Sequence, residues 1–223
     1  MAERGDFMEN RIIELFEENF GFAFKATTYN NMIVAIRTFE QFKKKNEDFF
    51  SFEKRETVFG HLRTYAIERQ FNDSAFNPRA NYSVSMKQVN GYKHKALCIE
   101  TKDFIVNLGR TNGAFKLLPQ SSYKKDFAKS NAGLSMQLSF DLSGEYPVVV
   151  ESKKYAQITY GYKFGDMTHL SIVLPSDNYS GSEYTVNLLA DVNVYKNYVP
   201  EELVEESIVA LKKNLSDEIE KII

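Results

Sequence analysis

The spacing of hydrophobic positions changes twice along the chain, and each change marks a change of architecture. Ile12, Leu15, Phe16 and Phe20 recur at helical spacing, with Asp6 and Glu9 in a capping-box arrangement before them and Gly21 as a stop. A second helical face holds Met32, Ile33, Ile36, Phe39 and Phe42. It predicts a helix that begins near Thr28 and ends in Lys43, Lys44 and Lys45, where cations meet the partial negative charge of the terminal carbonyls. A third face, capped by Ser51, carries Phe59, Leu62, Ala66 and Phe71. Residues 72–81 are polar and include Pro78, which closes the helical region.

From Tyr82 the period becomes two. Asn90-Gly91 separates residues 82–89 from 92–101, and Gly165-Asp166 separates 155–164 from 167–174. Residues that tolerate positive φ between alternating runs predict two-residue hairpin loops. Pairing Val89 with Tyr92 puts Tyr82, Val84, Met86, Leu97 and Ile99 on one face; Ser83, Ser85, Lys87, His94, Cys98 and Glu100 take the other. Phe104, Val106 and Leu108 predict a further strand, and Asn112-Gly113 predicts a turn into another at 115–118. Residues 119–132 read as a loop or as a short helix around 123–129. Alternation returns at Leu134, Met136, Leu138, Phe140 and Leu142, and short strands are expected at 148–150, 184–189 and 192–195.

The second change of period comes at Pro200. Val204, Ile208, Leu211, Leu215, Ile219 and Ile222 form one apolar stripe, with Glu201, Glu202, Glu205 and Glu206 at the helix start and Lys212 and Lys213 further on. The expected class is α+β: a helical N-terminal region over residues 1–75, then residues 76–223 as a largely antiparallel sheet of roughly seven to nine strands closed by a C-terminal amphipathic helix. The two regions can pack as one domain.

Composition narrows the setting. The chain has 223 residues, 43% of them hydrophobic and 26% charged, which is globular composition with enough length for a substantial core. A net charge of −2 supplies no global field for nucleic acid. The single cysteine, Cys98, has no internal disulfide partner, residues 1–10 lack an apolar signal core, and no run approaches membrane-spanning length. The expectation is a cytoplasmic protein. Lysine outnumbers arginine 20 to 8, tryptophan is absent, and Asn, Ile, Phe and Tyr are frequent. Such usage follows AT-rich codons and suggests a low-GC bacterium or phage.

Candidate chemistry is sparse. Asp141, Glu151 and Lys153 place an acid before an apolar strand that ends in Glu-x-Lys. This arrangement resembles the core pattern of PD-(D/E)xK metal-dependent nucleases. The resemblance implies that Asp141 and Glu151 hold Mg²⁺ and that Lys153 orients the attacking water. Such nucleases continue with a helix, whereas residues 155–164 read as a strand, and the alternative is that Glu151 and Lys153 are solvated strand-end residues. A second Glu-x-Lys, Glu100-Thr101-Lys102, has no close upstream acid. His61, His94 and His169 show no metal-ligand spacing. His94 and Cys98 share a strand face, yet stand roughly 13 Å apart along it, too far for nucleophile activation. Neither a Walker A loop nor a Gly-x-Gly-x-x-Gly turn occurs. Lys93, Lys95, Lys124, Lys125, Lys153 and Lys154 lie near Tyr92, Tyr123 and Tyr155, as in single-strand nucleic-acid binders, or as ordinary solvated sheet surface.

The leading expectation is a non-enzymatic binding or regulatory protein without a cofactor, acting on a protein or protein–nucleic-acid complex. A bacterial or phage-encoded inhibitor of host defence or replication machinery is one such setting. The alternatives are the Mg²⁺-dependent nuclease and the single-stranded nucleic-acid binder. Incubation with DNA or RNA and Mg²⁺ or Mn²⁺ separates these classes. The expected result is no metal-dependent cleavage and little effect of Glu151→Ala; robust cleavage abolished by that substitution would establish the nuclease.

Overall fold

The computed structural model describes residues 12–48, 55–74, 81–89, 93, 95–132, 153–163 and 165–190. Within them, α1 covers residues 12–19, α2 is Phe22–Lys45 and α3 is Arg55–Ser74. The six strands are β1 (Ser83–Gln88), β2 (Lys95–Glu100), β3 (Phe104–Arg110), β4 (Lys154–Lys163), β5 (Asp166–Pro175) and β6 (Ser182–Asn187). Between β3 and β4 lies α4, Ser122–Ala128, continued by a single 3₁₀ turn, Lys129–Asn131. The class is α+β, with the helices first and a mostly antiparallel sheet after them.

The strands lie in chain order, β1 to β6, and every neighbouring pair is antiparallel except one. β3 and β4 run parallel, in register from Phe104–Lys154 to Arg110–Tyr160. A parallel neighbour cannot be reached by a hairpin, so the chain needs the long crossover 111–153 to return to the same end of the sheet.

Helices α1, α2 and α3 cover one face of the sheet. Phe16 of α1, Phe20 of the link after it and Phe24 of α2 join Phe104 and Val106 of β3, Ile158 of β4 and Ile172 of β5 in a single core. Rings meet edge to face, as their quadrupoles favour: Phe16 lies 5.4 Å from Phe104 and 4.8 Å from Tyr184, centroid to centroid. Asn19 locks α1 to the β2–β3 connection. Its amide donates to Asp103 Oδ2 (2.8 Å) and Leu15 O (2.9 Å), and its oxygen accepts from Thr101 Oγ1 (2.8 Å) and the Asp103 N–H (2.9 Å).

Several expected boundaries move. α2 starts at Phe22, six residues before Thr28, and Gly21 forms its N-cap without a side-chain hydrogen bond. Burial of Phe24 favours this early start, whereas Thr28 is itself wholly buried in the helix. The first hairpin pairs Gln88 with Lys95, two residues out of register from a Val89–Tyr92 closing pair. A shift of two preserves the faces, so Val84 and Met86 still stand opposite Ile99 and Leu97. In the second hairpin Lys163 pairs with Asp166, so Asp166 belongs to β5 rather than to the loop. Gly165 supplies the positive φ there, at 87°. The strand expected at 115–118 does not form, because β4 already occupies the edge of β3. The short helix expected at 123–129 is present as α4. The strands expected at 134–142, 148–150 and 192–195, and the C-terminal helix from Pro200, fall outside the described residues.

A register shift at Gly161/Tyr162 marks a bulge between β4 and β5, and the His169 ring lies against Gly161. A Cβ at Gly161 would meet His169 Cε1 at 2.2 Å and Nδ1 at 2.6 Å. The imidazole is held by Thr111 Oγ1 at 2.8 Å and has little room to move. Gly161→Ala should therefore destabilise the fold by about 1–3 kcal/mol in denaturant unfolding. Adding His169→Ala should recover part of that loss; purely additive costs would rule out the steric origin.

Candidate functional site on the second face of the sheet

The face turned away from α1–α3 is built from the alternate residues of the same strands. The crossover covers it: Phe127 of α4 sits 5.5 Å from Tyr155, and Ala128, Tyr155 and Tyr179 form a small buried cluster. Unlike the first face, this one carries buried polar side chains in the middle of strands, notably Asn107 of β3 and Gln157, Thr159 and Ser171 of β4 and β5.

Asn107 and Gln157 join Tyr155 and Tyr179 in a connected chain of hydrogen bonds, whereas Thr159 Oγ1 and Ser171 Oγ are buried without a partner. Gln157 Nε2 donates to the hydroxyls of Tyr155 (3.0 Å) and Tyr179 (2.5 Å), while its Oε1 accepts from the Leu118 N–H (2.9 Å). Tyr179 donates to Leu118 O (3.0 Å), and Tyr155 to Asn107 Oδ1 (3.1 Å). Asn107 completes the chain by donating to Leu97 O (3.0 Å) and Cys98 Sγ (3.4 Å). Asn131 then ties the crossover down, accepting from the Tyr155 N–H (2.8 Å) and donating to Tyr155 O (2.9 Å) and Pro175 O (2.8 Å). Burial pushes the Tyr155 and Tyr179 phenols and the Cys98 thiol above their ordinary pKa values. All three stay protonated and act as neutral hydrogen-bonding groups. The arrangement suits holding the crossover on the sheet; a resting thiolate or phenolate, the form a nucleophile needs, is disfavoured at Cys98 and at both tyrosines.

The residues named from the nuclease-like pattern are divided by the structure. Asp141 and Glu151 lie outside the described residues. Lys153 is described, and its ammonium group bonds Glu100 Oε2 (3.1 Å) and Thr101 O (2.8 Å). The two Glu-x-Lys segments thus meet through Glu100 of one and Lys153 of the other. Lys87 reaches Glu100 Oε1 at 2.9 Å, and Ser85 Oγ donates to the same oxygen at 2.8 Å. β4 follows Lys153 directly, a strand where the nuclease pattern continues with a helix. Among the described residues, no cluster of three or more His, Cys, Asp or Glu is placed to hold a metal ion.

The lysines considered for nucleic acid differ in their surroundings. Lys154 Nζ donates to Ser130 O (2.7 Å), and Lys124 Nζ donates to Pro119 O (2.8 Å). Lys93, Lys95 and Lys125 are exposed. Lys95 opens β2 and Glu100, the partner of Lys153, ends it, a separation of roughly 16 Å along the strand. His169 is buried, and its protonation state follows from its neighbours. Thr111 Oγ1 donates to Gly113 O (3.0 Å), so it accepts from His169 Nε2–H at 2.8 Å, which leaves Nδ1 to accept from Thr168 Oγ1 at 3.3 Å. Burial first, and then the charge of Arg110, lower the His169 pKa and keep the ring neutral. His94 lies outside the described residues. Among the described residues no helix is long and apolar enough to cross a membrane.

No family model, curated protein or solved structure matches this chain. Sequence reasoning passed over Asn107, Gln157, Tyr179 and Asn131. The available signal was an amide interrupting each of two otherwise apolar strands. Arg63, Arg110 and Phe115 gave no comparable signal.

Glu100 gives this face its pH dependence. Hydrogen bonds from Lys87, opposed by burial and reinforced by Ser85 and Lys153, hold its carboxyl at a pKa of about 2, below the ordinary 4.5. A depressed folded-state pKa contributes stability that is complete above the unfolded value and is lost as pH falls toward the folded one. Acid unfolding between pH 4.5 and 2 should therefore be less steep in Glu100→Gln. At pH 7 the variant should lose about 1–3 kcal/mol, the worth of hydrogen bonds to a charged group. An unchanged acid-unfolding curve would remove Glu100 from this role.

Proposed function

We propose that the protein is a non-enzymatic binding module whose partner is another protein, engaged through the turn that follows β3. The observation that carries this reading is Phe115. Its backbone is left-handed, with φ 61°, and its ring is 43% exposed to solvent. That conformation costs a bulky L-residue about 1–2 kcal/mol. An exposed ring gains little burial to offset it, and backbone strain of this kind gathers where a side chain is displayed for function.

The turn is held firmly behind Phe115. Thr111 N–H donates to Tyr160 O (2.9 Å), Thr111 Oγ1 donates to Gly113 O (3.0 Å), and Leu118 is pinned by Gln157 and Tyr179. A rigid platform with a projecting aromatic ring is the geometry of an interface anchor, since little entropy is lost when the ring is captured. Tyr179 supplies the contrast. It is also left-handed, with φ 60°, but only 1% exposed, and its hydroxyl closes the buried hydrogen-bond chain. Its strain has an internal return, which that of Phe115 lacks. The wider setting, a regulator or inhibitor of host machinery, rests on residue usage alone.

Phe115→Gly separates display from folding, because glycine relieves the left-handed strain while removing the ring. The variant should melt at the same temperature as the parent or higher. It should fail to capture the protein partner that the parent retrieves from a nuclease-treated lysate of its source organism. A partner still captured by Phe115→Gly would overturn the assignment to this turn, and capture abolished by nuclease would favour nucleic acid instead.

A further inference from the structure

Among the described residues, the end of the sheet beneath α3 holds two arginines with no carboxylate at ion-pair distance. The Arg63 guanidinium of α3 lies 4.2 Å from the Tyr162 ring centroid, and that of Arg110, the last residue of β3, lies 5.2 Å from the same centroid. Tyr160, paired with Arg110 across the β3–β4 ladder, turns its hydroxyl toward Arg63. Among the described residues neither guanidinium forms an ion pair with a carboxylate, and Arg63 Nε is buried without an acceptor. Glu40 and Glu68 are the nearest acids in electrostatic reach. Glu40 instead approaches Lys43 at 3.9 Å, and Glu68 is felt at Tyr160.

We propose that Arg63 and Arg110 form a binding site for a phosphate group, open to solvent at the Arg110 side. Two guanidinium forks present more donors than one carboxylate can accept, and their joint charge matches a phosphate dianion. Cation–π contact with Tyr162 holds both guanidinium groups near one ring, so less side-chain freedom is lost on binding. The repulsion that Arg110 exerts on Arg63, beside the cost of its burial, is relieved by a bound anion. Arg110 is exposed and Arg63 half-buried, which leaves one donor for capture and one for orientation. This site is separate from the Phe115 surface and does not depend on it.

Titration calorimetry with inorganic phosphate and with adenosine monophosphate, at constant ionic strength, tests the site. The parent should bind inorganic phosphate in the millimolar range or tighter, with a matching rise in melting temperature. Arg110→Gln should weaken binding by about tenfold or more. Arg63→Lys, which keeps the charge but loses the fork, should weaken it by a smaller factor. Lys129→Gln, at an exposed lysine on the crossover, should leave it unchanged. Equal affinity for the two ligands confines recognition to the phosphate group, whereas tighter binding of the nucleotide assigns the natural phosphate to a nucleoside. Absence of binding by the parent would overturn the proposal, as would equal binding by the parent and a folded Arg110→Gln variant.

Discussion

The parallel pairing of β3 with β4 is the constraint on which the rest of the structure depends. Every other strand reaches its neighbour by a direct antiparallel connection, but this step requires a chain long enough to return along the sheet. The return brings α4 and the Leu118 segment over the face opposite α1–α3. Both faces of β4 are consequently buried, as its near-continuous burial from Tyr155 to Gly161 records. Without the crossover, the second face would be the solvated side that antiparallel sheets commonly present.

Covering that face creates a polar problem, which the chain resolves with amides. The described part of the crossover, residues 111–132, has no strand, which leaves backbone groups such as Leu118 N–H and Leu118 O without ladder partners, and buried groups of this kind must be satisfied. Gln157 accepts from the first and Tyr179 donates to the second, while Asn131 serves Tyr155 and Pro175 in the same manner. An apolar core of equal volume would bury comparable surface but would not specify where along the sheet the crossover sits. Paired donors and acceptors do specify it, because a slip of one residue would orphan several groups at once. The left-handed backbone of Tyr179 is the local cost of bringing its hydroxyl into this chain.

This division explains what could be read from the sequence. The first face obeys simple periodicity. Phe16 and Phe20, the apolar positions from Met32 to Phe42 and from Phe59 to Phe71, and the alternate apolar residues of β2–β5 lie in or against the core that their spacing indicates, whereas on β1 Val84 is half-buried and Met86 is 50% exposed. Strand faces survived the two-residue register change at the first hairpin because the period of a strand is also two. What periodicity cannot encode is which strand neighbours which, and in what direction. Residues 115–118 have strand-like composition, yet β4 holds the edge they would need, and a pairing across the crossover leaves no local mark. Thr28 misled for a related reason, since a residue suited to capping was overruled by burial of Phe24 one turn earlier. The polar sites were harder still. Gln157 and Asn131 become meaningful only once a chain more than twenty residues away in sequence is laid against them, and Arg63 and Arg110 share the Tyr162 ring only because α3 packs over this end of the sheet.

The charged clusters at two places on the sheet show how one electrostatic rule yields opposite roles. At the end of β2, one carboxylate lies between two ammonium groups and beside a hydroxyl, so both oxygens of Glu100 are occupied. Its neighbours favour the ionised form, and the cluster contributes to stability whenever that form is populated. At the end of β3 the balance is reversed: two guanidinium groups share an aromatic ring, and neither has a carboxylate at ion-pair distance among the described residues. Stacking on Tyr162 orients these cations but does not neutralise them, because a ring quadrupole offsets only part of a full charge. A satisfied cluster gains nothing from a ligand, which would have to displace internal bonds of equal quality. An unsatisfied, pre-oriented one gains the whole interaction. Among the described residues, Glu100 has both its oxygens occupied by internal partners, whereas Arg63 and Arg110 have no carboxylate at ion-pair distance, and that difference is the physical ground for proposing a ligand at the second place and not at the first.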